Sequence, residues 1–358
     1  MTINNQSLSP EERSPPCKYF FTCGGCSLQH LKHYSEYKYN LVKNSLENIE
    51  FEGELHDLFQ VSHNTRRRVS FRVKNKLGFS KFQSNEIIEI DNCLLLENEI
   101  NNLITPINQL INRINIKLER ISITSSDTGI EIVLVAKKKT NLECDILISE
   151  FANKYNIAKI ALQINDQLPF SLIERKPVQL LFDGVQVDLP INSFLQVSKE
   201  SLSKMTKIIL QHVEMDKKIL EFYCGVGSFT IPLSQKTSVY AFEGSIEAIE
   251  ALNKASKIYK LPIYAETRDL YQNPVQVSRI NDFSQVLINP PRNGATPQIK
   301  QLSQSSSIKT LILVSCSLSN FIRDAKILIN TGMKLTDLYP IDHFLYTEHI
   351  EIIGVFKR

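Results

Sequence analysis

A glycine-rich turn after an apolar run decides the fold, Lys218-Ile219-Leu220-Glu221-Phe222-Tyr223-Cys224-Gly225-Val226-Gly227. Glycine adopts backbone angles that other residues rarely reach and lets a ligand approach the main chain closely. Gly225 and Gly227 are therefore candidate ligand-binding positions. The pattern lacks the third glycine of a dinucleotide fingerprint, so a pyrophosphate is a less suitable ligand.

The region around this turn alternates between short apolar runs and helix-like segments. From residue 191 to residue 358 this rhythm predicts an α/β domain with a doubly wound, mostly parallel sheet. The last run, His349–Phe356, is almost continuously apolar, which predicts a central or hairpin-paired strand. Ligands of such sheets bind at the carboxyl ends of the strands.

The preceding sequence divides into three further segments. Residues 98–190 mix helix-like stretches with a hairpin signal and predict a central α+β domain. Residues 17–97 carry clustered cysteines, a helix-like stretch and a basic strand region. Residues 1–16 are polar and contain proline, which predicts a disordered tail.

Composition limits the class of protein. The chain has 358 residues, 42% hydrophobic and 22% charged, as expected of a globular protein with two or three domains. We find no signal peptide and no apolar run long enough for a membrane span. Seven cysteines without a secretion signal indicate a reducing, cytoplasmic location.

Charge is informative only locally, because the net charge is +3. Six basic side chains lie close together in the amino-terminal third: Arg66, Arg67, Arg68, Arg72, Lys74 and Lys76. Such a run forms either a solvated strand face or a surface that binds phosphate.

Polar residues at the predicted strand ends suggest a cofactor site. Glu243 ends the next apolar run, roughly twenty positions after the glycine turn, where an acid can bind ribose hydroxyls. Without a pyrophosphate site, S-adenosylmethionine fits this pattern. Asp269 either accepts the adenine amino group or caps a helix. Asn289, before two prolines, offers a donor and an acceptor, and Gln196 precedes the domain's first helix.

A thiol and a carboxylate complete the candidate site. Cys316 follows the apolar run Leu311–Ser315, and Glu351 lies among isoleucines, where loss of water makes a carboxylate a stronger base. This pair suits methylation at an unactivated pyrimidine carbon. The thiolate adds to C6, C5 becomes nucleophilic, and a base then removes the C5 proton.

From Cys17 to the C-terminus the chain resembles the S-adenosylmethionine-dependent RNA uracil-C5 methyltransferases. The family's S-C-N segment corresponds to Ser315-Cys316-Ser317, and its terminal motif to Asp342, Phe344, His349 and Glu351. The resemblance implies a carboxyl-terminal Rossmann-like methyltransferase domain in which Cys316 is the nucleophile and Glu351 the base. It implies cofactor contacts by four residues: Gln196, Tyr223, Glu243 and Asn289.

The amino-terminal cysteines specify a branch of this family. Cys17, Cys23, Cys26 and, far downstream, Cys93 provide four thiols, which suit either a [4Fe–4S] cluster or zinc. Their spacing resembles the cluster-binding signature of the branch that acts on 23S rRNA, which implies the cluster. Some members carry an amino-terminal β-barrel RNA-binding domain. Only sixteen residues precede Cys17 here, so we expect none.

Three positions differ from the family pattern. Ser317 and Ser198 stand where members have asparagine, and Asn289 stands where many have aspartate. The expected activity is synthesis of 5-methyluridine in 23S rRNA by a monomer, with no DNA or membrane partner. The alternatives are the same chemistry on the T-loop uridine of tRNA, or a non-catalytic RNA-binding or ribosome-assembly factor with a decayed methyltransferase fold.

Overall fold

The computed structural model describes residues 12–358, so most of the expected disordered tail lies outside the described residues. Glu12 forms a β-bridge with Leu31, and Arg13 N donates to His30 O at 2.7 Å. The described end of the expected tail is therefore hydrogen-bonded to the segment that carries the cysteines.

The elements alternate along the chain as the sequence rhythm indicates. The first part, up to residue 188, contains α1 (Tyr34–Leu46), β1 (Glu54–Leu55), β2 (Phe59–Gln60), β3 (Arg68–Val73), β4 (Leu77–Ser80), β5 (Ile87–Glu89), α2 (Asn98–Ile111), β6 (Leu118–Ser125), β7 (Ile130–Ala136), α3 (Leu142–Lys154), β8 (Lys159–Ile164), β9 (Phe170–Glu174), β10 (Gln179–Phe182) and β11 (Val185–Asp188). The second part contains α4 (Lys199–His212), β12 (Ile219–Phe222), α5 (Thr230–Ser234), β13 (Val239–Glu243), α6 (Ile246–Tyr259), β14 (Ile263–Thr267), α7 (Val277–Ile280), β15 (Gln285–Ile288), α8 (Thr296–Ser303), β16 (Thr310–Ser315), α9 (Leu318–Asn330), β17 (Lys334–Asp342) and β18 (Glu351–Lys357).

The carboxyl-terminal sheet has the order β1-β17-β18-β16-β15-β12-β13-β14, and β2 also pairs with β17. Strands β12 to β16 run parallel, whereas β18 is antiparallel to both β16 and β17. Strands β12, β15 and β16 are buried at every residue, which explains their continuous apolar runs. The doubly wound α/β prediction and the central position of the last strand are confirmed.

The parallel part of the sheet begins in its middle, at β12, and later strands are added on both sides of it. Its neighbours are β13 on one side and β15 on the other, so successive connections leave the sheet in opposite directions. This is the topological switch point at which open α/β sheets bind ligands.

A second sheet has the order β5-β4-β3-β6-β7-β8-β9, and β10 and β11 form a separate hairpin. The sheets do not follow the predicted segment boundary at residue 97. Strands β3 to β5 pair with the central domain through β3 and β6, whereas β1 and β2 join the methyltransferase sheet through β17. Backbone pairing over long sequence separations, which composition does not reveal, causes this difference.

A buried ion pair attaches the first helix to the last hairpin. Lys38 on α1 lies 3.1 Å from Asp342 Oδ1, and both side chains are 0% exposed. Tyr34 donates to the other oxygen, Asp342 Oδ2, at 2.6 Å. Lys38 Nζ also donates to Thr347 O and His349 O. The helix therefore fixes the loop between β17 and β18.

None of the helices in the described part of the chain has the length and apolarity that a membrane span requires.

Replacing Lys38 with methionine should lower the free energy of unfolding by about 3–5 kcal/mol, because Asp342 then stays buried without its cation. Adding Asp342→Asn to this variant should recover part of the loss. Urea denaturation measures both. The exposed Lys18–Asp91 pair supplies the control, and Lys18→Met should leave the unfolding free energy nearly unchanged. Equal losses of unfolding free energy in Lys38→Met and Lys18→Met would contradict the stabilising role of the buried ion pair.

Candidate active site

The switch point brings three predicted residues to one edge of the sheet. Tyr223 N donates to Phe242 O at 2.8 Å, and Asn289 N donates to Phe222 O at 3.2 Å. These bonds join the ends of β12, β13 and β15. Tyr223, Glu243 and Asn289 therefore lie beside one another, as their positions in the sequence predict.

Glu243 fixes the glycine turn. Its Oε2 accepts from Gly225 N at 3.1 Å, and its Oε1 accepts from Gly244 N and Ser245 N at 2.7 and 3.0 Å. Oε2 has a further lone pair that can accept from a hydroxyl group. The acid predicted to bind ribose is thus preorganised at the end of β13.

The two glycines of the turn have different roles. Both have positive φ, +56° at Gly225 and +98° at Gly227. A Cβ at Gly225 would meet nothing within 4 Å, whereas one at Gly227 would lie 2.6 Å from Leu252 Cδ1 on α6. Gly225 thus leaves space for a ligand, and Gly227 allows close helix packing.

Tyr223 is oriented for a ligand contact. Its hydroxyl is buried, and within residues 12–358 it has no hydrogen-bond partner. Burial raises the pKa of this phenol. A buried polar atom without a partner indicates a missing ligand atom. Together with the open space at Gly225, this hydroxyl fits an adenosine-type cofactor such as S-adenosylmethionine.

Asp269 is exposed and caps a turn. Its Oδ1 accepts from Tyr271 N at 2.9 Å and from Gln272 N at 3.0 Å. The alternative of a helix cap is thus wrong, because the capped residues form a turn and the next helix begins only at Val277. The contact with adenine stays a prediction.

The segment that carries Gln196 is held by two arginines of the basic run. Arg67 Nε donates to Gln196 O at 2.9 Å, and Arg68 Nη2 donates to Asn192 Oδ1 at 2.7 Å. Arg67 is only 1% exposed. The expectation of one continuous basic surface is thus wrong for Arg67, because it binds backbone carbonyls. Residues further along the run remain exposed: Arg72, Lys74 and Lys76.

The predicted nucleophile and base lie on adjacent strands. Ser315 at the end of β16 pairs with Ile352 on β18, so the antiparallel register places Cys316 next to Glu351. Glu351 is buried and Cys316 is half-buried. Burial raises the pKa of the Cys316 thiol, the Glu351 charge adds to this effect, and the Arg292 guanidinium opposes it.

A cleft of about 730 Å³ opens at the thiol. Its lining includes Cys316, Arg292, Lys326 and His349. The cleft is large enough for a nucleotide and carries positive charge at its rim.

His343 contacts the predicted base, and the sequence reasoning missed it. Its Nε2 lies 3.1 Å from Glu351 Oε2, although this oxygen is outside the hydrogen-bonding direction of the ring nitrogen. Its Nδ1 lies 3.1 Å from Ser201 Oγ on α4. The available signal was its position between Asp342 and Phe344 of the terminal motif.

The two departures from the family pattern are helix caps. Ser198 Oγ accepts from Ser201 N at the start of α4, and Ser317 Oγ accepts from Asn320 N at the start of α9. Asparagine and serine are both strong N-caps. Serine therefore preserves the local backbone at each position.

The four amino-terminal cysteines line one cavity of about 270 Å³. Burial raises the pKa of Cys26 to about 12, and the three neighbouring thiols contribute. Among the described residues no three of these sulfur atoms lie within 4.8 Å of one another. Tetrahedral zinc requires sulfur separations of about 3.8 Å. In the described structure the four sulfur atoms therefore do not form a zinc tetrahedron.

Arg66 lies between this cavity and the thiol cleft. It lines the cysteine cavity. Burial lowers the pKa of its guanidinium, and Arg292 lowers it further, while Cys93 and Cys26 oppose the change. The two candidate centres are thus separated by a pair of arginines.

A third group of possible metal ligands consists of Glu54, His56 and Asp337. The two nitrogens of His56 face different carboxylates, at 3.3 Å from Glu54 and 3.1 Å from Asp337. A metal ion bound to one ring nitrogen would need both carboxylates close to that same nitrogen. The group therefore attaches β1 to β17.

The C-terminal domain has a Rossmann-like methyltransferase fold. The sequence model of the tRNA (uracil-5-)-methyltransferase family matches residues 36–358, and the chain belongs to this family. It is an S-adenosylmethionine-dependent RNA uracil-C5 methyltransferase.

Similar proteins carry names that agree with this assignment, and a solved structure has the same fold. An uncharacterized RNA methyltransferase of Agrobacterium fabrum (strain C58 / ATCC 33970) is 30% identical, with 98% of this chain and 87% of that protein covered. One from Aquifex aeolicus (strain VF5) is 29% identical, with coverage of 98% and 85%. The Pyrococcus abyssi tRNA (uracil-54, C5)-methyltransferase in complex with S-adenosyl-L-homocysteine has the same fold, with a TM-score of 0.75, 21% identity, and coverage of 93% of this chain and 86% of that chain.

Glu221 lies beneath the cofactor turn as a buried acid. It is 1% exposed, and neither carboxylate oxygen has a hydrogen-bond partner within the described residues. Burial raises its pKa to about 8, and the nearby Glu243 contributes. Unfolded glutamate titrates near pH 4.3. Between these values the folded state holds one more proton, so stability falls as the pH rises.

Replacing Glu221 with glutamine should remove this dependence. The unfolding free energy of the variant should exceed that of the wild type at pH 8, by up to about 1.4 kcal/mol for each pH unit above the unfolded value. Chemical denaturation at pH 5 and pH 8 measures the difference. The exposed Glu250→Gln serves as the control. Parallel curves for Glu221→Gln and the wild type would contradict the buried, protonated carboxyl.

Proposed function

We propose that the protein methylates C5 of a uridine in 23S rRNA through a covalent adduct between Cys316 and C6. The observation that carries the proposal is the adjacency of Cys316 and Glu351 in the antiparallel register of β16 and β18. Both residues lie at the edge of the sheet that carries the glycine turn. The cleft at the thiol is lined by Cys316 and by the two residues that precede Glu351, His349 and Ile350.

Cys316 acts first. Its thiolate adds to C6 of the uracil, and the electron pair of the C5–C6 double bond moves to C5 and the O4 enolate. Bound S-adenosylmethionine supplies the methyl group that C5 takes. The methionine part is expected near Asn289 and Gln196, and the ribose near Glu243. The Tyr223 hydroxyl, which has no hydrogen-bond partner among the described residues, is expected to contact the cofactor as well.

Glu351 completes the reaction. Its carboxylate removes the C5 proton, the C5–H electron pair restores the double bond, and the sulfur of Cys316 leaves C6 as a thiolate. Burial and Glu351 keep the resting thiol protonated, because both raise its pKa. Arg292 favours the thiolate, so we assign it the role of assisting deprotonation when substrate enters the cleft.

The RNA backbone is expected to bind to Arg66 and Arg292. Arg66 lines the cysteine cavity and Arg292 lines the thiol cleft, where guanidinium groups can bind phosphates. The exposed Arg72, Lys74 and Lys76 extend this positive surface on and beside β3. The target uridine must leave its stack, since C6 is attacked from one face of the ring.

The cysteine cavity is proposed to hold a [4Fe–4S] cluster through Cys17, Cys23, Cys26 and Cys93. Four thiolates are the usual ligand set, and no three of these sulfur atoms in the described structure lie as close together as a zinc site requires. Methyl transfer consumes no electrons, so a structural or RNA-positioning role fits this location beside Arg66.

The choice of 23S rRNA rests on the four cysteines, whose spacing resembles the rRNA-specific branch. A second candidate is a tRNA uridine, because the names of the family and of the Pyrococcus enzyme both refer to tRNA. A non-catalytic RNA-binding factor is a weaker alternative, because it has no need for a thiol paired with a buried carboxylate.

Mass-spectrometric mapping of 5-methyluridine should decide between these substrates. Cells that lack the gene should lose the modification at a 23S rRNA site, and the wild-type gene should restore it. Cys316→Ala should restore none, because no sulfur can activate C5, whereas the buried Cys144→Ala on α3 should restore it. Loss confined to tRNA would overturn the rRNA assignment, and full rescue by Cys316→Ala would overturn the covalent route.

Purified Glu351→Gln should test the adduct directly. Without the base, elimination slows on the order of 100-fold, and a protein–RNA adduct should persist on a denaturing gel. The double variant Cys316→Ala/Glu351→Gln is the matched control and should form none.

The cluster assignment predicts iron in protein purified without oxygen. We expect about four iron and four sulfide ions per chain, with a broad absorption band in the visible range. Cys23→Ser and Cys93→Ser should each lose most of the bound iron, whereas Cys144→Ser should retain it. One zinc ion per chain and no iron would contradict the proposal.

A further inference from the structure

The environment of His343 suggests a role that depends on the proposed function. His343 follows β17 directly and is 5% exposed. Its two ring nitrogens face different partners, Ser201 on α4 and Glu351 on β18. The proposed base is thus connected to a helix of the same domain through one imidazole.

The hydrogen bonds assign one proton on the ring. Ser201 Oγ donates its only hydrogen to Ser198 O at 3.0 Å. Toward His343 Nδ1 the hydroxyl oxygen therefore offers a lone pair, and Nδ1 must carry a proton. The remaining nitrogen, Nε2, faces Glu351 Oε2 at 3.1 Å.

This geometry requires a second proton. A carboxylate with little water around it needs a counter-charge, and a ring cation whose Nε2 lies 3.1 Å away supplies one whatever the direction of its N–H. One proton therefore lies within the pair. Imidazole is the stronger base of the two free side chains, so the proton belongs to His343 and Glu351 is a carboxylate.

We propose that His343 is a positioning residue for the methyl-transfer reaction: as an imidazolium it holds Glu351 Oε2, keeps the base ionised and leaves Oε1 for the C5 proton. The contact is available only in the singly protonated pair. A second proton on Glu351 removes the base, and loss of the His343 proton removes the hold on the carboxylate. The elimination step should therefore depend on pH from both sides.

Other groups near the pair are already engaged or face elsewhere. The ring of Phe344 lies edge-on to His343 at 4.2 Å. Asp342, the preceding residue, is paired with Lys38, and Glu200, next to Ser201, accepts from Ser62 N. The Cys316 thiol and Arg292 approach the pair from the cleft.

An experiment that does not require activity tests the protonation. In ¹⁵N-histidine spectra of the full chain near pH 7, the signal missing from His343→Gln should show both ring nitrogens protonated in the wild type. In Glu351→Gln the same ring should become neutral, with the proton on Nδ1. A neutral His343 in the wild type would overturn the inference, whether or not the protein methylates RNA.

Kinetics test the consequence. His343→Leu should lower kcat on the order of 10-fold or more with KM for RNA nearly unchanged, and it should accumulate the Cys316 adduct, because elimination alone is slowed. His343→Gln, whose amide donates at every pH, should keep more activity and lose the alkaline decline. Ser201→Ala tests the same role without changing His343, since it removes the oxygen that accepts from Nδ1–H. It should also lower kcat.

Wild-type kcat, no adduct and an unchanged pH profile in His343→Gln and Ser201→Ala would overturn the role even if His343→Leu fails to fold. Failure of the proposed function itself gives a different result. In that case the wild-type protein forms neither 5-methyluridine nor adduct, while the ¹⁵N spectra still report the His343–Glu351 pair.

Discussion

The active site depends on a buried contact between Lys38 and Asp342, which are far apart in the sequence. Lys38 neutralises Asp342 and at the same time binds the carbonyls of Thr347 and His349. The loop between β17 and β18 is thereby fixed at both ends. Since His343 begins this loop and Glu351 follows it, one ammonium group on α1 holds the segment that joins His343 to the proposed base.

Catalytic geometry in this protein is built mainly from backbone register. Strand β18 runs between β16 and β17, antiparallel to both. This insertion places the start of β18 beside the end of β16, so two chemically different groups meet without any long flexible connection. The serine N-caps of α4 and α9 fix the backbone where the chain enters these two helices.

The carboxyl-terminal fold could be predicted because its strands are buried on both faces and its turn needs glycine at Gly225 and Gly227. The same reasoning located Cys316, Glu243 and Asn289 at strand ends. It could not predict that Arg67 binds a carbonyl, since burial of an arginine depends on a partner 129 positions away. His343 was missed for a similar reason, because its partners lie on α4 and β18.

The pairing of β1 and β2 with β17 has a consequence for assembly of the chain. These short strands cover the outer edge of the methyltransferase sheet. Before they dock, the long strand β17 exposes unpaired backbone groups, a surface on which other chains can add. Once docked, residues 54–60 cover this edge and protect the folded molecule from edge-to-edge aggregation.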